Sequence, residues 1–141
     1  MGEKQVGPLK DVRIIELGSL IAGPYAGSLF AQFGADVIKV EPPKIGDPLR
    51  KWRKLDGDTS LWWYSQSRNK KSITLNLKDS DAQDALRRLI KGADVLIENF
   101  RPGTLEKWNL GWDDLVEINP RLVMLRAVSY THLRAHETDR Y

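Results

Sequence analysis

The sequence predicts an α/β fold in which a parallel β-sheet is flanked by helices. Short runs of β-branched and leucine residues alternate along the chain with segments of helical spacing. Residues 12–17 and 35–40 have the pattern of strands and enclose one helical segment. Such a strand–helix–strand unit is typical of a parallel crossover connection. A second helical segment separates two later strands, so the same alternation continues.

The first crossover unit begins with the strand at residues 12–17. Small residues at 18–23 lead to Pro24, where a helix can begin, and residues 25–33 carry apolar side chains on one side. Gly34 suits the position after a helix, because glycine adopts the left-handed conformation often found there. The strand at residues 35–40 then ends in an acidic residue.

Residues 42–69 show little periodicity and are unusually aromatic. They contain Trp52, Trp62, Trp63 and Tyr64. A polar loop does not need so many rings, so we expect the segment to pack on other parts of a protein. Rings that cover the domain's own core and rings that form an interface are both consistent with the composition.

Regular elements return with an alternating strand pattern at residues 70–78. Asp79 or Ser80 caps the next predicted helix, which runs to about Lys91 and carries one apolar stripe. Acidic residues lead this helix and basic residues end it, as the helix dipole favours. Gly92 follows, and glycine is common just after a helix.

The second crossover unit closes with a short buried strand at residues 94–97. Pro102 can open a helix after it, because the N–H that proline lacks would be unpaired there. A short helix near residues 105–108 and another near 113–118 precede a last strand at 122–125.

The composition of the whole chain excludes several classes of site and partner. The 141 residues suffice for one domain, and the fractions of 41% hydrophobic and 29% charged residues are typical of soluble proteins. The chain has no cysteine, which excludes disulfides, Cys-based zinc sites and a thiol nucleophile. A net charge of +3 permits an anionic ligand without indicating nucleic acid. We see neither an apolar run of the roughly 18 residues that span a bilayer nor a signal peptide. We therefore expect a cytoplasmic protein with neither nucleic acid nor membrane among its partners.

The glycine-rich loop at residues 18–23 matches neither of the two common nucleotide-binding motifs. Its spacing is that of a P-loop, but Pro24 and Tyr25 stand where Lys and Ser or Thr are required. Leu20 occupies the position of the middle glycine in the dinucleotide fingerprint. Glu41 lies where a ribose-binding acid is expected, although a solvent-facing carboxylate is the simpler interpretation.

Two further clusters of polar residues carry weaker signals. His132 and His136 are four residues apart, but without a third ligand or a helical pattern we predict no metal site. Arg68, Lys70 and Lys71 form a basic cluster. It is either a solvated entrance to the following strand or a contact for phosphate.

A stronger signal is the position of three polar or small segments after predicted strands. They are residues 21–23, 75–78 and 99–101. Carboxyl ends of parallel strands meet at one edge of a sheet, so these segments are predicted to line one crevice. The crevice would combine close backbone approach and apolar walls with cationic side chains. A ligand with a flat base and several phosphates, such as coenzyme A (CoA), fits this inventory.

Four segments in this order carry a family resemblance, namely residues 22–24, 34–41, 69–73 and 98–103. With them, the chain resembles the class III CoA transferases, the CaiB/BaiF-like family. The resemblance runs from about residue 8 to residue 125 and implies a Rossmann-like N-terminal α/β domain. It also implies an interlocked homodimer and CoA binding by this part of the chain.

Carried over position by position, the resemblance assigns ten residues to CoA binding. They are Ile21, Ala22, Leu75, Asn76, Leu77, Lys78, Asn99, Phe100, Arg101 and Lys107. One position departs from the family. Pro42 stands where some members have an arginine that touches CoA, so that contact is absent.

The resemblance implies nucleophilic catalysis, in which an aspartate attacks the acyl-CoA thioester and CoA then passes to an acceptor carboxylate. We assign no catalytic residue, because the family pattern is lost after residue 126 and Asp113, Asp114 and Asp139 do not match the nucleophile. Residues 1–127 are therefore predicted to be the truncated N-terminal part of a transferase, inactive alone. Residues 128–141 are predicted to be a foreign or disordered tail.

Two alternatives stay open. An α-methylacyl-CoA racemase-like enzyme on the same scaffold would move a proton beside the thioester with an acid/base pair. Asn69 and Asn99 make the chain more similar to the transferases, because racemases tend to lack both asparagines. The other alternative is a non-catalytic fragment or a separate module that binds CoA or a nucleotide.

Overall fold

A computed structural model describes residues 6–127. The strands are β1 (Arg13–Glu16), β2 (Asp36–Glu41), β3 (Leu55–Asp56), β4 (Thr59–Ser60), β5 (Lys70–Thr74), β6 (Val95–Glu98) and β7 (Val123–Arg126). The α-helices are α1 (Ala22–Gln32), α2 (Leu61–Gln66), α3 (Ser80–Ile90) and α4 (Trp112–Ile118). Short 3₁₀ helices lie at Pro48–Lys51 and Glu106–Trp108.

Five strands form one parallel sheet in the order β5-β2-β1-β6-β7. The chain begins at β1 in the centre, adds β2 and β5 on one side, and then adds β6 and β7 on the other side. In sheets of this kind, ligands bind beyond the carboxyl ends of the strands, near the point where the order reverses. The predicted α/β fold with a parallel sheet and flanking helices is confirmed.

Apolar clusters cover both faces of the sheet. Ile14 and Ile15 are neighbours in β1, and each belongs to a different cluster because successive strand residues point to opposite faces. The smaller cluster packs α1 on the sheet. The larger cluster packs α3 and α4 and consists of Ile15, Leu17, Val40, Leu77, Leu86, Ile90, Ala93, Leu96, Leu105, Leu110, Leu115 and Leu122.

Three element boundaries differ from the predictions. The helix α1 begins at Ala22, so Pro24 lies in its first turn, where a missing N–H removes no helical hydrogen bond. Strand β5 ends at Thr74, and the following residues leave the sheet toward α3. The prediction that Pro102 opens a helix is wrong. Residues 102–105 form a turn instead of a helix. Gly103 in this turn has a φ of +79°, which lies outside the helical range.

The segment at residues 42–69 contains more structure than its composition predicts. It holds a 3₁₀ helix, the β3–β4 hairpin and α2. The rings pack largely on one another and on a cation. Trp52 meets Trp62 edge to face at 5.5 Å, and the Arg50 guanidinium lies 3.8 Å from the centre of the Trp63 ring. Trp62 and Tyr64 remain exposed, so the rings are not simply a cover for the core.

Candidate functional site

Asn99 joins the two strand ends at which the order of the sheet reverses. Its Nδ2 donates to the Ser19 carbonyl at 2.8 Å, and its Oδ1 accepts from the Ser19 N–H at 2.7 Å. Both polar ends of the amide are therefore bonded to the loop after β1. Asn99 therefore fixes this loop against the end of β6.

An apolar cavity of about 270 Å³ lies beside this junction, beyond the carboxyl ends of β1, β2 and β5. Phe100 and Trp108 enclose it from the side of β6, with their rings edge to face at 5.7 Å. The complete lining is Leu17, Gly18, Ser19, Lys39, Val40, Glu41, Pro42, Ile45, Gly46, Asp47, Pro48, Leu75, Asn76, Leu77, Lys78, Phe100 and Trp108. A cavity thus lies at the predicted edge of the sheet, lined by residues 75–78 and Phe100 but not by residues 21–23.

Five of the ten predicted binding residues line the cavity, and five lie outside its lining. The lining residues are Leu75, Asn76, Leu77, Lys78 and Phe100. The others are Ile21, Ala22, Asn99, Arg101 and Lys107. Of this second set, only Asn99 is partly buried, and the other four side chains are exposed. The exposed members comprise the start of α1 and two cations that follow β6 along the chain.

Trp108 and the segment at residues 45–48 are lining residues that sequence reasoning missed. The signal for Trp108 was available, because an aromatic residue follows the predicted strand end in a short helix. Nothing in the sequence pattern of residues 45–48 indicates that this segment folds back over the end of β2.

A buried network of charges lies beneath the cavity. Lys39 Nζ contacts Glu16 Oε1 at 2.9 Å, Asp47 Oδ2 at 2.7 Å and the Gly18 carbonyl at 2.7 Å. Lys70 Nζ contacts Glu16 Oε2 at 2.7 Å and the Pro24 carbonyl at 2.6 Å. A buried charge is tolerated when it is paired and hydrogen-bonded, and both lysines satisfy this condition.

This network excludes both predicted roles for one member of the basic cluster, Lys70. Lys70 is buried in an ion pair, so it is neither a solvated strand entrance nor a free phosphate contact. Burial lowers the pKa of the Lys70 ammonium, and the charge of Glu16 and its hydrogen bond oppose this effect. Lys71 pairs with Asp36 at the other end of β2, and Arg68 remains exposed.

Glu41 is buried, so the interpretation of this residue as a solvent-facing carboxylate is wrong. Arg50, nine residues later, reaches back and donates to both of its oxygens at 2.7 and 2.8 Å. Burial tends to raise the pKa of Glu41. The hydrogen bonds from Arg50, Ser72 and the Asp47 N–H outweigh burial and lower the pKa to about 2. The carboxylate is therefore ionised at neutral pH and holds residues 47–50 over the strand end.

Glu98 performs a similar task at the end of β6. Its Oε2 accepts from the Phe100 N–H at 2.7 Å, and its Oε1 pairs with Arg126 at 3.2 Å. Arg126 also contacts Glu106 at 2.7 Å. The backbone that carries Phe100 is thus fixed by a buried carboxylate.

Comparison with known proteins decides the family. A family model described as "CoA-transferase family III" matches residues 9–138. The chain belongs to this family. The family resemblance predicted from the four sequence segments is therefore confirmed.

Curated relatives of this family III chain are CoA-transferases. It is 52% identical over 125 residues to a succinyl-CoA–D-citramalate CoA-transferase of Chloroflexus aurantiacus, covering 87% of this chain and 31% of the relative. It is 37% identical over 117 residues to a formyl-CoA:oxalate CoA-transferase of Escherichia coli, covering 82% of this chain and 28% of the relative. The chain therefore spans about a third of the length of the curated relatives it matches.

Solved structures agree with this family III assignment. The D175A mutant of Rv3272 from Mycobacterium tuberculosis matches with a TM-score of 0.81 and 37% identity, covering 94% of this chain and 36% of that one. A CaiB/BaiF family protein from Brucella suis matches with a TM-score of 0.77 and 38% identity, covering 85% and 33%. The sheet described above is thus a fold that this chain shares with an experimental structure of a CaiB/BaiF family protein.

Two further properties of the family III chain concern metals and membranes. Within residues 6–127, no group of three or more His, Cys, Asp or Glu side chains is placed to hold a metal ion. No helix of this part of the chain combines the length and apolar character needed to cross a membrane. Both histidines and the predicted tail at residues 128–141 lie outside the described residues.

Proposed function

We propose that this chain is the N-terminal, CoA-binding part of an acyl-CoA:carboxylate CoA-transferase. The whole enzyme would move CoA from an acyl-CoA thioester to a carboxylic acid acceptor. The observation that carries the proposal is the apolar cavity at the carboxyl edge of the sheet, in a chain that belongs to family III.

The cavity is assigned to the flat base of CoA. Its volume of about 270 Å³ lies just below the range of roughly 300–1,000 Å³ typical of whole-ligand sites, so it suits one part of CoA. Phe100 and Trp108 offer ring surfaces to the base, and Lys78 lies at the same cavity. Lys78, Arg101 and Lys107 supply positive charge for the phosphates, as charge-assisted hydrogen bonds to phosphate require.

The remaining assignments concern the longer protein. The nucleophilic aspartate is assigned to a part of the enzyme outside this chain, so residues 1–127 bind and do not react. The chain is assigned to a cytoplasmic homodimer that uses acyl-CoA as a substrate and needs no metal. The relatives reported above are named as CoA-transferases, which favours transfer over the racemase alternative.

Calorimetric titration of the 141-residue chain with CoA, adenosine 3′,5′-bisphosphate and pantetheine tests this assignment. The first two carry the base and phosphates, and pantetheine carries neither. We expect the chain to bind CoA, the bisphosphate to compete for the same site, and pantetheine to compete at least about tenfold less well. Absence of CoA binding, or equal competition by pantetheine, would overturn the assignment.

The substitution Lys78→Ala tests whether CoA binds at the cavity that Lys78 lines. Loss of a charge-assisted contact to phosphate should weaken CoA binding by about tenfold. Lys10→Ala is the matched control, because Lys10 is also exposed but precedes β1, at the opposite edge of the sheet. Equal losses in the two variants would show a general charge effect and remove Lys78 from the site.

A further inference from the structure

The loop between β1 and α1 is held at three consecutive residues by side chains from other elements. Lys39 Nζ donates to the Gly18 carbonyl, and Asn99 binds both backbone groups of Ser19. Asp47 Oδ1 accepts from the Leu20 N–H at 3.0 Å. These side chains come from β2, from the segment that follows β2 and from the residue after β6, so the loop conformation depends on contacts from the two strands that neighbour β1 in the sheet.

Leu20 adopts a conformation that a leucine avoids without support. Its φ is +66°, in the left-handed region that non-glycine residues rarely occupy. The loop is also tight on its other side, since a Cβ added at Gly18 would lie 2.6 Å from the Gly23 Cα. The turn at Leu20 delivers the chain into Ile21 and Ala22, where α1 begins.

Asp47 is placed to supply that support. Its side chain is buried, and Oδ1 also accepts from the Leu49 N–H at 2.8 Å while Oδ2 pairs with Lys39 at 2.7 Å. One carboxylate therefore ties the segment over the cavity to the strained loop and to the charge network. Asp47 lines the cavity as well, beside Gly46 and Pro48.

We propose that Asp47 is a positioning residue for CoA binding. It holds Leu20 at positive φ, and the loop fixed in this way places Gly18 and Ser19 in the lining of the cavity assigned to CoA. This inference rests on the proposed function, because it takes CoA as the ligand of the loop. Asp47 acts through the loop and is not assigned to any step of the transfer reaction.

Asp47→Ala removes the acceptor for the Leu20 N–H and tests the proposal in the 141-residue chain. We expect faster hydrogen exchange of the Leu20 amide and CoA binding weakened by about tenfold, from the cost of ordering a left-handed leucine. Asp58→Ala is the matched control, since the side chain of Asp58 in the β3–β4 turn is 99% exposed. The control should change neither quantity.

Leu20→Gly separates positioning from a general loss of structure. Glycine occupies positive φ without support, so Asp47→Ala should cost less than about threefold in CoA affinity when introduced into the Leu20→Gly chain. If Asp47→Ala does not fold, Asp47→Asn takes its place in the same comparison. Asparagine offers a weaker, uncharged acceptor, so a loss of about threefold is expected, and this loss should vanish in the Leu20→Gly chain.

Three results have distinct meanings. Undiminished CoA affinity and slow Leu20 exchange in the Asp47 variant would overturn the positioning role while leaving CoA binding intact. An equal loss in the native and Leu20→Gly chains would also overturn it, because the effect would not pass through the loop. Failure of the unsubstituted chain to bind CoA would instead overturn the proposed function and the ligand assigned to the loop.

Discussion

Glu41→Gln should destabilise the fold in a way that depends on pH. Glutamine has nearly the same shape but no charge, so the guanidinium of Arg50 loses its carboxylate partner. The pKa of Glu41 is lowered from 4.5 to about 2. At about 1.4 kcal/mol per pH unit, ionised Glu41 contributes about 3 kcal/mol to the free energy of unfolding at pH 7.

The sign of the pH dependence follows from the lowered pKa. The unfolded chain takes up its proton at a higher pH than the folded chain, so the contribution of Glu41 is complete above about pH 5. It declines as the pH falls toward about 2, where Glu41 in the folded chain is protonated as well. The difference in stability between native and Glu41→Gln chains should therefore be about 3 kcal/mol at pH 7 and small near pH 2.

Urea unfolding followed by circular dichroism at several pH values between 7 and 2 measures this difference. Glu117→Gln is the matched control, because Glu117 is exposed on α4 and its replacement should change stability by less than about 0.5 kcal/mol. A loss below about 1 kcal/mol at pH 7 would refute the reasoning. So would a loss that stays constant from pH 7 to pH 2, because it would reflect packing and not the ionised carboxylate.

Two further substitutions test the framework around the cavity. Arg50→Lys should lower the free energy of unfolding by about 1–2 kcal/mol in urea titrations, because lysine replaces neither the two-point contact with the carboxylate nor the stacking on Trp63. Asn99→Ala should weaken CoA binding by about tenfold in calorimetry, since both hydrogen bonds to Ser19 are lost. Unchanged CoA affinity in that variant would separate the loop after β1 from the ligand site.

The sheet was predictable from the sequence because its strands and helices satisfy local rules. Strand β6 is a run of apolar residues bounded by polar ones, and α3 has one apolar stripe with acidic residues leading and basic residues trailing. These patterns depend on neighbours within a few positions. The parallel pairing then follows from the alternation of strands and helices.

The segment at residues 42–69 was not predictable in the same way. Its structure depends on Glu41 and Arg50, which meet across nine positions and have no periodic signature. Each of its helices is short, and an isolated helix of six residues such as α2 is not stable by itself. Tertiary contacts decide this segment, so composition indicated only that its rings would be packed.

The location of the cavity was predictable, but its lining was predictable only in part. Strand ends indicated where a ligand could lie, and Phe100 and Lys78 do line the cavity there. The role of Lys39 was hidden, because a lysine in a strand is ordinarily expected to reach solvent. Its burial requires Glu16, its partner in the neighbouring strand register, and Asp47 from a separate segment.

These contacts indicate a structural role for the polar residues in the segments that carry the family resemblance. Lys39, Glu41, Lys70 and Asn99 all lie in those segments, and each uses its polar side chain on another part of the protein. The cavity surface itself is mostly apolar. An apolar cavity does not specify the shape of the loops that surround it, whereas a buried ion pair or a bonded amide permits few arrangements. The polar motif residues therefore act mainly by fixing two loops and the first turn of α1 in place, and most of the cavity lining comes from less distinctive side chains.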